Sequence, residues 1–219
     1  MYRCLFTAVF FASTLTLPAD SQEGPKDAVV LIIRHAEKPD TGPGLSPSGQ
    51  QRAEAYIHYF QEFTVDSRQL RPDAVFAAKD TKGSQRPRLT VESFAKAAKL
   101  RIDTRFSSNQ SAELAAALRE TEQGKRILIS WHHTDVPALL RALGAKPKSL
   151  LPGGKWPDPV FDWVILLSYD QDGRLIPANT RRISEHLMPA TLNKPEELTP
   201  AGFHPPTHKA TARQAQCAR

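Results

Sequence analysis

An unbroken apolar run at residues 28–33, Ala-Val-Val-Leu-Ile-Ile, is the sequence feature that most constrains the fold. A strand that is apolar on both faces fits only a sheet that is covered on both sides. Further strand-like runs follow at residues 74–78, 126–131 and 161–169. The chain therefore needs helices on both faces of a central sheet.

Helical patterns separate these runs. Ser46 followed by Pro47 is typical of a helix start. Helices are also predicted at residues 88–98 and 111–120, the second capped by Ser111. Two sets of apolar residues have the spacing i, i+3, i+4, i+7 of one helix face. The first set is Ala53, Tyr56, Ile57 and Phe60, and the second is Val136, Leu139, Leu140 and Leu143. This alternation of strands and helices predicts an α/β fold.

The N-terminal segment has the organisation of a secretion signal. Residues 4–17 are apolar or small, too few for the ~20 residues of a membrane span, and small residues before a polar stretch favour cleavage after Ser21. We therefore expect a signal peptide at residues 1–21, a single domain at 22–192 and a flexible basic tail at 193–219. The mature protein is expected to be periplasmic or secreted, without membrane attachment.

Charge and cysteine content narrow the function classes. The formal net charge of +6 and the isoelectric point near 9.4 favour anionic partners. The positive charge is dispersed and lacks interleaved aromatic residues, so nucleic-acid binding is not predicted. Two cysteines, one of them inside the expected signal peptide, exclude a disulfide framework. No prediction follows for the oligomeric state.

Histidine and arginine side chains follow the predicted strands, where an α/β sheet gathers its functional groups. The planar arginine fork matches phosphate oxygens, and a neutral imidazole is a nucleophile towards phosphorus. The sequence therefore predicts a phosphoryl-transfer site at this edge. Its candidates are Arg34 and His35 after the first strand, His132 and His133 after the third, and Ser84 and Arg86 in the loop after the second.

Four segments resemble motifs of the histidine phosphatase (phosphoglycerate mutase-like) superfamily. Arg-His-Ala-Glu at 34–37 resembles the signature Arg-His-Gly-Glu, and residues 45–53 are similar to Leu-Thr-x-x-Gly-x-x-Gln-Ala. Residues 86–90 resemble Arg-Ala-x-x-Thr, and 129–132 resemble the strand before the second histidine. The four occur in the family's order, with similar separations.

The resemblance implies a three-layer α/β sandwich with a mostly parallel central sheet and helices on both faces. It also implies that His35 becomes a transient phosphohistidine, with no metal or other cofactor. The phosphoryl group would be bound by Arg34, Arg86 and His132, while Ser84 is a further phosphate donor or a helix cap, and His133 a residue of the pocket wall.

The proton donor to the leaving group is open among three carboxyl groups. Glu113 lies between the second arginine and second histidine segments, where the family often places a glutamate, and is favoured narrowly. Asp135, three residues after His132, is the alternative. Glu37 is a third option, although its place beside His35 suits a positioning role better.

These features predict an exported phosphomonoesterase that acts on a small phosphorylated substrate. The alternatives are a non-catalytic anion-binding module with the same pocket and a phosphomutase. The identity of the substrate is expected to depend on residues 101–111 and 146–159. The second range is rich in proline, glycine and lysine and is predicted to be an irregular excursion. Lys148, Lys155 and Arg105 are candidates for contacts with further anionic groups.

Overall fold

The computed structural model describes residues 23–188, so the expected signal peptide and basic tail lie outside the described residues. The elements in chain order are β1 (Val29–Arg34), α1 (Pro47–Gln61), β2 (Thr64–Val65), β3 (Arg68–Gln69), β4 (Ala74–Ala77), α2 (Arg86–Ala98), β5 (Ile102–Asp103), α3 (Ser111–Thr121), β6 (Arg126–Trp131), α4 (Val136–Ala142), α5 (Pro147–Leu150), β7 (Trp163–Ser168) and β8 (Arg181–Ser184). Two 3-10 turns, Pro152–Gly154 and Pro177–Asn179, complete the set.

A six-stranded sheet in the order β5-β4-β6-β1-β7-β8 forms the centre of the protein. Strands β5, β4, β6 and β1 are parallel, β7 is antiparallel to β1, and β8 is antiparallel to β7. This confirms the mostly parallel sheet. The register pairs Arg34 with Trp131 and Ala77 with Ser130, so the carboxyl ends of the three central strands lie level at one edge.

Helices cover both faces of the sheet, which confirms the three-layer architecture. Tyr56 and Phe60 of α1 pack with Phe94 of α2 against one face. The other face is covered by α3 and α4 through buried leucines such as Leu114 and Leu139. All six residues of β1 are buried between these layers, as the unbroken apolar run requires.

Several local predictions are corrected. Helix α2 begins at Arg86 rather than at residue 88, and Ser111 is the first residue of α3 instead of its cap, since its hydroxyl forms no hydrogen bond with the described residues. The excursion 146–159 holds α5 and a 3-10 turn. Strands β5 and β8 were not predicted. The chain reverses after β7, where Gly173 has a φ of +80° and Tyr169 forms a β-bridge with Leu175.

Candidate active site

The carboxyl ends of β1 and β6 bring the predicted histidines together. The His35 amide donates to the oxygen of Trp131 at 3.0 Å, which extends the strand pairing by one residue. The ring of His35 then lies with its centroid 5.2 Å from that of His132 and 6.0 Å from that of His133. Parallel strands in register thus assemble residues about a hundred positions apart in the sequence into one site.

The His35 ring is held in one tautomer. Its Nδ1 lies 2.8 Å from the backbone oxygen of Ala36, and because a carbonyl only accepts, Nδ1 carries the proton. The lone pair is therefore on Nε2. Burial, more than any other effect, lowers the pKa of His35 to about 3, and the nearby Arg34, His132 and Arg86 add to this despite the opposing bond to Ala36. The ring is neutral at physiological pH, as a nucleophile must be.

The buried hydroxyl of Thr90 connects α2 to the loop that carries His35 through hydrogen bonds. The Ala36 amide donates to Oγ1 of Thr90 at 2.8 Å, and this hydroxyl donates to the backbone oxygen of Arg86 at 2.7 Å. Thr90 has no solvent exposure. Arg86, the first residue of α2, is thereby held beside His35, which gives the predicted spacing of Arg86 and Thr90 a physical reason.

Arg86 has no carboxylate partner among the described residues. Its guanidinium donates from one terminal nitrogen to the backbone oxygen of Gly42 at 3.3 Å, while its buried Nε has no partner there. Burial lowers the pKa of Arg86. The hydroxyl of the buried Ser84 likewise has no hydrogen-bond partner in this part of the chain. Donors without an internal acceptor remain available to an anion.

Arg34 differs, because part of its guanidinium anchors another loop. One terminal nitrogen donates to three backbone oxygens in residues 157–160, at 3.2, 2.7 and 2.9 Å, and Cζ of Arg34 lies 3.8 Å from the centroid of the Phe161 ring. Burial lowers the pKa of Arg34 to about 10, against the raising effect of Asp158. Its buried Nε has no partner among residues 23–188. Phosphate binding by Arg34, as implied by the resemblance, would use that atom and the other terminal nitrogen.

His133 links this arginine to a carboxylate that sequence reasoning missed. Its Nδ1 accepts from Arg34 at 3.3 Å, and its Nε2 donates to Oδ1 of Asp158 at 2.8 Å. Burial is the main cause that lowers the pKa of His133. No local pattern in the sequence marks Asp158, because its position depends on how residues 157–160 wrap around Arg34.

The three candidate proton donors occupy different environments. Glu37 accepts two-pronged hydrogen bonds from Arg52, at 2.8 to 3.1 Å, which fits the positioning role. Glu113 is exposed in the first turn of α3 and has no hydrogen bond or ion pair within residues 23–188. Asp135 precedes α4, and its charge opposes the burial that lowers the pKa of His132. Of Glu113 and Asp135, only Asp135 is thus shown to interact with a site histidine.

The start of α1 presses against the loop after His35. The Oγ of Ser46 accepts from the Gly49 amide at 3.1 Å, and the Ser46 amide donates to the backbone oxygen of Glu37 at 2.9 Å. A Cβ at position 49 would collide with that same oxygen of Glu37. Glycine is therefore required in the segment 45–53 because the helix approaches the loop so closely.

Arg52, which sequence reasoning did not single out, lies wholly buried behind this loop. Besides Glu37, it pairs with Glu185 at 3.3 Å, and the Tyr56 hydroxyl donates to both oxygens of Glu185 at 2.9 and 3.0 Å. We call these four residues the Arg52 cluster. It connects α1, the His35 loop and the chain after β8, and thereby stabilises the loop.

The described residues give no indication of a metal centre or a membrane span. Within residues 23–188, no group of three or more histidine, cysteine or carboxylate side chains is placed to hold a metal ion. None of the helices in that range is long and apolar enough to cross a bilayer.

Solved structures share this fold, although the sequence has diverged widely. No protein-family model and no curated protein matches the chain. A structure named as the phosphohistidine phosphatase SixA of Agrobacterium tumefaciens superposes with a TM-score of 0.50 at 19% identity, covering 72% of this chain and 99% of that one. The phosphoserine phosphatase of Entamoeba histolytica, solved with 3-phosphoglyceric acid, gives 0.50 at 13%, covering 74% and 100%.

Two histidines and an arginine without a carboxylate partner in the described part of the chain thus lie at the carboxyl ends of parallel strands, an arrangement whose chemistry suits an anion. The sheet order, its helical layers and the superpositions together show that the chain has the phosphoglycerate mutase-like α/β fold of these solved structures. The fold expected from the four motif segments is thereby confirmed.

Proposed function

We propose that the protein is an exported phosphomonoesterase that hydrolyses a small phosphate ester through a phosphohistidine on His35. The observation that carries this proposal is the free Nε2 lone pair of a buried, neutral His35 beside Arg86 and His132. The proteins with similar folds are named as phosphohistidine and phosphoserine phosphatases, which supports phosphoryl transfer. Export is supported by the signal-like composition of residues 1–21.

The reaction consists of two in-line transfers. In the first, the lone pair of His35 Nε2 forms a bond to phosphorus, the ester P–O bond breaks, and the leaving oxygen takes a proton from a carboxyl group. In the second, that carboxylate accepts a proton from water as the water oxygen attacks phosphorus, the P–N bond breaks, and inorganic phosphate leaves. We propose Asp135 for this carboxyl group instead of Glu113, because the Asp135 amide donates to the backbone oxygen of His132 at 2.9 Å, whereas Glu113 is exposed and has no hydrogen bond or ion pair within residues 23–188.

Positive charge at the site supplies the stabilisation. The transferring phosphoryl group spreads its negative charge over three equatorial oxygens, so donors fixed around these oxygens lower the barrier. Arg86 and Arg34 Nε are such donors, and Ser84 adds a hydroxyl. Because no acidic side chain neutralises Arg86 among the described residues, its full charge is available to the substrate.

Hydrolysis of an aryl phosphate by the His35→Ala variant tests the proposal. We expect a loss of at least about a thousandfold in kcat, in the range seen when a nucleophile is removed. His58→Ala, on the exposed face of α1, is the matched control and should retain activity. Rapid quenching with 32P-labelled substrate should give an alkali-stable, acid-labile label on the wild-type protein and none on His35→Ala.

The same assay separates the alternatives. Full activity in purified His35→Ala contradicts the proposal. A wild-type protein that binds vanadate or tungstate tightly without turnover is an anion-binding module. Transfer of the labelled phosphoryl group to a second position of a sugar acid, instead of to water, identifies a mutase.

A further inference from the structure

A groove of about 900 Å³ opens beside the candidate active site. His133 and Asp158 form one end of it, and the His133 ring centroid is 6.0 Å from that of His35. The groove extends from there along residues 145–156. A leaving group several atoms long, attached to phosphorus at His35, reaches this space, which is far larger than a phosphoryl group needs.

The groove lining is positively charged, and its basic side chains have no carboxylate partner in the described part of the chain. No acidic side chain of residues 23–188 pairs with its basic residues, whereas Arg88, Arg105 and Arg126 elsewhere each pair with a carboxylate. The acidic residue in the lining, Asp158, already accepts from His133. The basic residues of the lining are Arg141, which donates to the backbone oxygen of Pro137 at 2.9 Å, and Lys146, Lys148 and Lys155.

The groove also has an apolar component, since Pro137, Pro147 and the buried Trp156 line it. Gly153 and Gly154 take left-handed conformations, with φ of +59° and +78°, so the chain reverses there. A Cβ at position 154 would lie 3.1 Å from Cγ of Lys148, which shows how closely the returning chain passes that side chain. The reversal sets Lys148 and Lys155 on the same groove.

The groove wall is fixed to the active site. The Trp156 indole donates to the backbone oxygen of Val160 at 2.8 Å, and Arg34 donates to three backbone oxygens in residues 157–160. The lysines are thus attached to a segment that the candidate phosphate-binding arginine holds in place. Arg105, also a candidate from the sequence, pairs with Asp103 and does not line the groove.

We propose that this groove is a subsite for a second anionic group, phosphate or carboxylate, carried by the leaving group at the end of an apolar stem. The proposal rests on the proposed phosphatase function and narrows its substrate to small esters with two anionic ends. The prolines and tryptophan pack against the stem, and Lys148 and Lys155 attract the distal anion as mobile point charges.

Hydrolysis of matched esters tests this subsite. The substrates are hexane-1,6-diol bisphosphate, 6-phosphooxyhexanoate and hexyl phosphate, assayed with the wild-type protein and with Lys148→Gln/Lys155→Gln. Lys26→Gln/Lys96→Gln, at exposed positions outside the groove, is the control with the same change in net charge. The two bis-anionic substrates distinguish a phosphate from a carboxylate as the distal group.

The double variant should lose roughly tenfold in kcat/KM for the better bis-anionic ester, which corresponds to about 1.4 kcal/mol. The value for hexyl phosphate should stay within about twofold of wild type, because the groove lysines do not touch the reacting phosphoryl group. The rate for the bisphosphate is halved before comparison, as it has two equivalent ends. The control variant should behave as wild type with all three esters.

A titration with non-hydrolysable hexane-1,6-diphosphonate and hexylphosphonate separates the two proposals. If the wild type and the double variant prefer the bis-anionic compounds over the mono-anionic ones by the same factor, the subsite is overturned and the phosphatase function is unaffected. Absence of turnover with every ester, together with lysine-dependent binding of the diphosphonate, overturns the phosphatase and keeps the subsite. Lysine-dependent hydrolysis of phosphopeptides without preference for the bis-anionic esters also overturns the small-molecule subsite.

Discussion

Two arginines beside the loop after His35 are in opposite environments. Arg52 is wholly buried and pairs with Glu37 and Glu185. Arg86 is half-buried, and its one hydrogen-bond acceptor within residues 23–188 is the backbone oxygen of Gly42. The first arginine is neutralised inside the protein, and the second retains its charge for a ligand. Pairing with internal carboxylates, more than burial, thus distinguishes the structural arginine from the candidate functional one.

The two environments also affect the histidines differently. The Arg52 cluster has acidic partners, so it stabilises the loop without adding uncompensated charge. The uncompensated charge of Arg86 contributes to lowering the pKa of both His35 and His132, after the larger effect of burial. The charge of Arg86 thus adds to the larger effect of burial in keeping the imidazole neutral, and the same charge is available to an anion.

Arg52→Leu should have the largest effect on stability. It removes the cation that pairs with the half-buried Glu37 and with the buried Glu185, whose pKa burial raises to about 8 against the opposing charge of Arg52. We expect a loss of about 3–5 kcal/mol in the free energy of unfolding. Arg88→Leu is the control, since Arg88 also pairs with carboxylates but is partly exposed, and should cost about 0–1 kcal/mol. Urea unfolding measures both. Equal losses would show that the buried cluster has no special role.

Arg86→Gln should act on activity instead of stability. Removing one preorganised donor typically lowers kcat by about 10²–10³, which corresponds to about 2.7–4 kcal/mol of transition-state stabilisation. The free energy of unfolding should change by no more than about 0.5 kcal/mol, because no ion pair is broken in the described structure. A variant that unfolds as easily as Arg52→Leu while retaining its turnover would reverse the assignment of the two arginines.

The smallest effect is expected in the titration of His35. Its ring should remain neutral between about pH 8 and about pH 5, although an unperturbed histidine titrates near 6.5. Because the pKa of His35 is lower in the folded state than in the unfolded state, the folded state binds fewer protons. The free energy of unfolding that is present near neutral pH therefore falls as the pH drops below about 6.5. NMR of the ring protons, assigned with His35→Asn, measures this. Arg86→Gln should raise the pKa of His35, and an unchanged pKa would argue against the field of Arg86.

The long elements could be predicted from the sequence, and the short edge strands could not. The run at 28–33 and the stripe ending at Leu143 are buried as expected, because their periodicity is a local property. Strand β5 has only two residues, and β8, Arg-Arg-Ile-Ser, is mostly polar and half exposed, so neither has an apolar run that marks it as a strand. Their pairing depends on neighbours already in the sheet.

The sequence by itself determined the α/β layers, the two histidines and the arginine segments, since hydrophobic periodicity and residue chemistry are written locally. Only the tertiary structure decided which charges are neutralised. The pairing of Arg52 with Glu185 spans 133 positions, and that of His133 with Asp158 depends on a loop wrapped around Arg34. Electrostatic energy depends on distance and burial in space, which no local spacing encodes.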